Sequence, residues 1–121
     1  MLRRTLVHPE QLFNFVKTYI MTARIWHGYT VFENADSYEH LLREEIFEGI
    51  HNRHIEGFKS IQLLRRNLAD ETEFITLMMF DSIESVKTFA GENYETAVVP
   101  DKARKLLKRF DATSQHYEVI V

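Results

Sequence analysis

Hydrophobic positions along this chain follow two rhythms, and the places where one gives way to the other mark the predicted elements. Behind Pro9, which is tolerated in a first helical turn, Leu12, Phe13, Val16, Tyr19 and Ile20 recur at helical spacing. They predict a helix over 9–20, within an N-terminal helical extension spanning 1–21. Residues 22–31 change rhythm and are rich in β-branched and aromatic types, which predicts a strand. Asp36, with Glu39 three residues on, reads as a capping box, so a helix is expected to start there and run to about residue 51. Its buried stripe would be Tyr38, Leu41, Leu42, Ile46, Phe47 and Ile50. Gly57 punctuates the following loop. Strands are expected over 58–67 and 72–80, joined by a short turn at 68–71 and therefore paired as an antiparallel hairpin. Asp81-Ser82 caps a short helix whose apolar face is Ile83, Val86, Phe89 and Ala90, with Gly91 as terminator. Residues 94–99 fit neither rhythm. Pro100 opens another helical turn carrying Leu106, Leu107 and Phe110 inward, and 113–121 closes the chain as a fourth strand.

The core order is β-α-β-β-α-β over residues 22–121. That is an α+β, ferredoxin-like arrangement with an antiparallel four-stranded sheet. The third strand is apolar on both faces in its second half, so both faces of the sheet need a cover. Helices take one face. A second copy of the sheet is expected on the other, giving a homodimer built as a dimeric α/β barrel, with the extra N-terminal helix as the alternative cover.

Composition narrows the chemistry. With 121 residues, 45% of them hydrophobic, the chain suits one domain with its own core. It has no cysteine, which excludes disulfides, thiolate nucleophiles, zinc–thiolate sites and iron–sulfur clusters. A net charge of −3 offers no cationic stripe for nucleic acid. The basic residues Arg104, Lys105, Lys108 and Arg109 read as the solvated face of a helix. No apolar run approaches the roughly 20 residues of a membrane span. Glu10, Asn14 and Lys17 interrupt any signal-like segment behind Arg3-Arg4, so a cytoplasmic location is expected.

Several stretches, taken in order, resemble the antibiotic-biosynthesis monooxygenase family of dimeric α/β barrels. They are Ala23-Arg24-Ile25-Trp26-His27-Gly28, Leu64-Arg65-Arg66, Glu73-Phe74 leading to Phe80-Asp81-Ser82, Phe89-Ala90-Gly91-Glu92-Asn93-Tyr94, and His116-Tyr117-Glu118-Val119. The resemblance implies a small aromatic substrate, such as a quinol, an anthrone or a polyketide, oxygenated by O₂ without metal, flavin or other cofactor. Some members of that family instead degrade haem. The chain departs from the family at three places: Phe80 stands where a Trp is usual, Thr76 where the oxygenases often carry an Asn, and Thr88-Phe89-Ala90-Gly91 where haem degraders carry a His. A non-catalytic small-molecule-binding or interaction protein on the same scaffold is the alternative, and haem binding or degradation a third reading.

The expected catalytic group is His27, with His116 and Glu73. The first and last strands should be neighbours, so His27 could face His116 in the right register, and Glu73 could approach from the third strand. A carboxylate beside an imidazole raises its basicity, which suits abstraction of a phenolic proton. The structural alternative is that these histidines bridge polar strand ends at the sheet rim. The same three residues could be read as a metal triad, though no ligand spacing supports one and no metal is expected. Trp26 and His27 alternate and therefore point to opposite faces. Trp26 could wall a substrate or sit in a subunit interface. Phe74, Met78 and Phe80 share one face with Thr76 and could line a pocket or form core. Arg24 could meet an anionic ligand or a surface carboxylate. Tyr117 could donate its hydroxyl into a pocket or be buried with one partner.

Overall fold

The computed structural model describes residues 20–121. The helix expected over 9–20, and with it the extension, lies outside the described residues apart from Ile20 and Met21.

Strand β1 (Thr22–Thr30) leads into a helical run made of α1 (Phe32–Leu41), one π-helical turn (Leu42–Ile46) and α2 (Phe47–Asn52). Strands β2 (Phe58–Asn67) and β3 (Thr72–Phe80) form the antiparallel hairpin, closed by Leu68 N–H donating to the Glu71 carbonyl at 2.7 Å. Then follow α3 (Ile83–Ala90), α4 (Asp101–Leu106), the two-residue β4 (Arg109–Phe110) and β5 (Gln115–Glu118). The sheet runs β2-β3-β1-β4, with β5 also on β1, and every pairing is antiparallel. This is the ferredoxin-like architecture. No helix among the described residues is long and apolar enough to cross a membrane.

Three boundaries differ from the sequence pattern, each for a visible reason. The first helix begins at Phe32 rather than Asp36. Val31 is its extended N-cap, and Asn34 N–H donates to the Val31 carbonyl. Asp36 and Glu39 are not a capping pair. Both carboxylates turn to Arg65 on β2, at 2.8 and 2.9 Å. The cap of α3 is Ser82, which accepts from Ser85 N–H, while Asp81 pairs with Lys59. The last strand is split. Lys108 N–H and Asp111 N–H bond the carbonyls of Tyr29 and His27, so Phe110 belongs to β4 and not to the preceding helix. Residues 112–114 then leave β1 to pair with 95–97, through Ala97 N–H to Ala112 and Ser114 N–H to Glu95. The segment that fits neither periodicity is thus an arm held by its own small bridge, Thr96 to Thr113.

Two apolar clusters fill the space between sheet and helices. One joins Ala35, Tyr38, Leu42, Phe74 and Ala103; the other joins Met78, Phe80 and Val86. The Tyr38 and Phe74 rings meet edge to face at 4.7 Å, a geometry favoured by the aromatic quadrupole.

Candidate functional site

Register decides which side chains can meet. β1 and β3 pair Arg24 with Met78, Trp26 with Thr76 and Gly28 with Phe74. Alternate residues of a strand share a face. Arg24, Trp26, Phe74, Thr76, Met78 and Phe80 therefore all face the helices. Ile25, His27, Tyr29, Glu73, Ile75, Leu77 and Met79 face the other way.

On the helix side a narrow recess remains between the two apolar clusters. About 70 Å³ of it is open to the centre of a water-sized molecule, and the whole recess, counting the part that opens to solvent, is about 560 Å³. Arg24, Trp26, Thr76 and Met78 contribute from the sheet, and Leu42, Ile46, Phe47 and Ile50 from the helical run. The π-helical turn lies within that run, and such turns are frequent at functional sites. Tyr38 of α1 and Ile61 of β2 also reach it, the arm adds Val98 and Val99, and Phe89 and Ser114 complete the described lining with Pro100 and Ala103. No histidine among the described residues lines it.

Trp26 is held rather than merely placed. Its indole N–H donates to the Asp111 carbonyl at 2.7 Å, and its ring lies 5.8 Å from that of Phe110. Gly28 makes room for it: a Cβ there would come within 3.0 Å of the indole ring and of Leu107.

Arg24 is the unusual member. It is 4% exposed, and burial lowers its pKa to about 10, so it is still charged at neutral pH. Its Nη1 donates to the Tyr94 carbonyl at 2.5 Å and contacts His116 Nε2 at 2.9 Å; Nη2 reaches the Thr96 carbonyl at 3.5 Å. Its guanidinium lies over the Phe89 ring. A guanidinium can only donate, so Nε2 of His116 is the acceptor and the imidazole is neutral, with its proton on Nδ1. Burial, and then the neighbouring Arg24 charge, push the His116 pKa down to about 4.

The expected histidine pair is not assembled. β5 sets His116 opposite Arg24, not His27. The two imidazoles lie on opposite faces of the sheet. His27 Nδ1 instead lies 3.4 Å from Asp111 at the sheet edge. Glu73 is cross-strand from Tyr29, accepts from its hydroxyl at 3.3 Å and pairs with Arg66, so it does not serve His27. Among the described residues no three His, Asp or Glu side chains cluster closely enough to share a metal ion.

Of the expected substrate-binding residues, Arg24, Trp26, Thr76 and Met78 line the recess. Phe74 and Phe80 are completely buried in the two clusters instead. Tyr117 pairs with Ala23 on the far face and is 53% exposed. Ser114 and the arm residues were not legible as site residues, because their segment carries no periodicity. Leu42, Ile46 and Ile50 were legible as a buried stripe, and a recess at helical spacing looks the same as core.

A pH test follows from His116. Its folded pKa lies below the unfolded value of 6.5, so the unfolded chain takes up the proton first. The associated stability is fully present above about pH 6.5 and is lost as the pH falls toward about 4. Discounted for partial solvent access, the loss is expected to be about 1–2 kcal/mol. Urea denaturation at about pH 7 and about pH 5 should show it in the native chain. His116→Gln, which keeps an acceptor but does not titrate, should lose most of the difference.

No protein-family model matches this sequence, and no curated relative matches it. A crystal structure from Bacillus cereus, described as a candidate antibiotic-biosynthesis monooxygenase, shares the architecture. The TM-score is 0.52 and the sequence identity 18%, over 83% of this chain and 93% of that one. At that identity the likeness is one of fold.

Proposed function

We propose that the helix–sheet recess binds a small electron-rich aromatic molecule and that the chain is a cofactor-independent monooxygenase acting on it. The observation that carries the reading is the recess itself: a narrow slot walled by Trp26, Phe47, Met78 and Phe89 on the face where the helices shield it. The similar fold of a candidate antibiotic-biosynthesis monooxygenase supports the reaction class.

In this reading Trp26 and Met78 hold a flat ring, and Thr76 offers a hydroxyl to a substrate oxygen. The acidic phenol or enol gives up a proton, and its anion passes one electron to O₂. The two radicals join as a carbon–oxygen bond. Loss of the second proton from that carbon breaks the O–O bond, leaving a carbonyl and water, so one oxygen atom enters the product and the other leaves as water. His27 and Glu73 face away from the slot, so the first proton leaves to water at its open side.

Substrate-dependent O₂ uptake by metal-free protein, across a panel of anthrones and quinols, tests the reading. Trp26→Ala should reduce uptake roughly tenfold or more through lost positioning. No uptake anywhere in the panel by folded protein would reject catalysis. Saturable binding without turnover would then favour the alternative, a small-molecule-binding protein. Phe80 gives that alternative its support, since it packs against Phe58 and Phe89 as core and offers no indole to the slot.

The opposite face belongs to the same proposal. Ile25, Ile75, Leu77 and Met79 lie together there on neighbouring strands. A second copy of the chain packing sheet to sheet over them would complete a dimeric barrel. Light scattering should give twice the chain mass; a monomer at micromolar concentration would remove this part.

A further inference from the structure

We propose that the recess selects an aromatic molecule bearing a carboxylate, and that Arg24 is the group that receives it. The inference rests on the recess being the ligand site, as above, but not on oxygenation.

The charge accounting points to a missing anion. The more exposed arginines Arg65, Arg66 and Arg109 each hold a carboxylate. Arg24 is the most buried arginine described, and no carboxylate among the described residues reaches it. Its three partners there are two backbone carbonyls and an imidazole that must be neutral to accept from it. A buried cation whose charge is not offset is costly, and a bound anion removes that cost.

The donor count agrees. A guanidinium carries five N–H groups. The described partners take two from Nη1 and one from Nη2, leaving Nε–H and one Nη2–H without an acceptor among the described residues. A carboxylate has two oxygens for such a pair, and arginine–carboxylate recognition is commonly bidentate. Tyr94, Thr96 and His116 hold Nη1 and Nη2, and Phe89 supports the guanidinium face, so the group is fixed before a ligand arrives. The rest of the described lining is mostly apolar, with Tyr38, Thr76 and Ser114 the other hydroxyl-bearing members. One cation set into an apolar slot matches a ligand with one anionic group and a flat apolar body.

The test compares two molecules of the same shape, 2,5-dihydroxybenzoate and 2,5-dihydroxybenzamide, titrated under argon so that no oxygenation occurs. Trp26 is the single tryptophan of the chain, so its indole N–H resonance reports occupancy of the slot directly. The acid is expected to bind roughly tenfold or more tightly than the amide, the margin of a charge-assisted pair over a neutral one. Arg24→Met should abolish that preference while the amide still binds. Arg24→Lys should retain part of it, since lysine keeps the charge and loses the fork. Equal affinity for acid and amide in the native chain, or no indole shift with either, overturns the proposal without needing any variant to fold. A purely structural arginine would give that equality, with Arg24→Met only lowering stability. Binding preference without O₂ uptake would uphold this inference and reject the monooxygenase reading, so the two fail separately.

Discussion

Replacing Phe74 with alanine is expected to destabilise the domain by about 3–5 kcal/mol, a large share of the roughly 5–15 kcal/mol that holds a domain folded. Phe74 is completely buried, its ring meets Tyr38 edge to face, and Arg65 lies across it from the sheet side. Truncation removes a ring from the cluster that joins the sheet to α1 and α4, and neighbours on three different elements cannot all move in to fill the gap. Tyr38 would feel it most. It is only 1% exposed, and that burial raises its hydroxyl pKa. Urea denaturation should show a lower midpoint at unchanged slope. A loss under about 1 kcal/mol would mean that the cluster repacks and that Phe74 is closer to the slot than its burial indicates. The result also separates core from site. Phe74→Leu, which keeps most of the volume, should recover much of the stability and leave ligand affinity within about twofold, because Phe74 does not line the recess.

Gly57→Ala is expected to be nearly as damaging although it adds a single methyl group. Gly57 has φ of +85°, a conformation that costs other residues about 1–2 kcal/mol. A Cβ there would stand 1.9 Å from Ser85 Oγ and 2.7 Å from Ser85 Cβ. Ser85 cannot simply rotate away, because the overlap reaches its Cβ and its backbone N–H is held by the Ser82 cap. The Gly57 carbonyl also accepts from Asp81 N–H at 2.7 Å, tying the start of β2 to the end of β3. Conformational strain and overpacking together predict a loss of about 2–5 kcal/mol. Double substitution offers a check on the cause: Ser85→Gly in the same chain should relieve the steric share and leave the conformational share. If Gly57→Ala alone lowers the unfolding free energy by less than about 0.5 kcal/mol, α3 packs loosely on this loop.

These two sites show different degrees of legibility. Gly57 could be recognised as loop punctuation from its place between a helical stripe and a strand pattern. Its collision with Ser85 could not, since the two residues meet only when α3 folds back over the start of β2. Phe74 was readable as one of several apolar residues sharing a strand face. Whether that face was core or pocket depended on what the helices left uncovered, and they cover Phe74 and Phe80 while leaving Thr76 and Met78 beside the slot.

The sequence by itself determined the order of strands and helices, the hairpin of β2 and β3, and the opposition of Trp26 and His27. Each of these depends on local periodicity, on turn residues or on the strict alternation of a strand. Only the tertiary structure decided that Trp26 and Arg24 take the helix side, that His116 meets Arg24 rather than His27, and that the arm at 94–99 supplies the carbonyls that hold the guanidinium. Those outcomes depend on register and on which of two apolar faces the helices choose. Both are set by contacts between residues far apart in the chain, and a period of two reads the same in either choice.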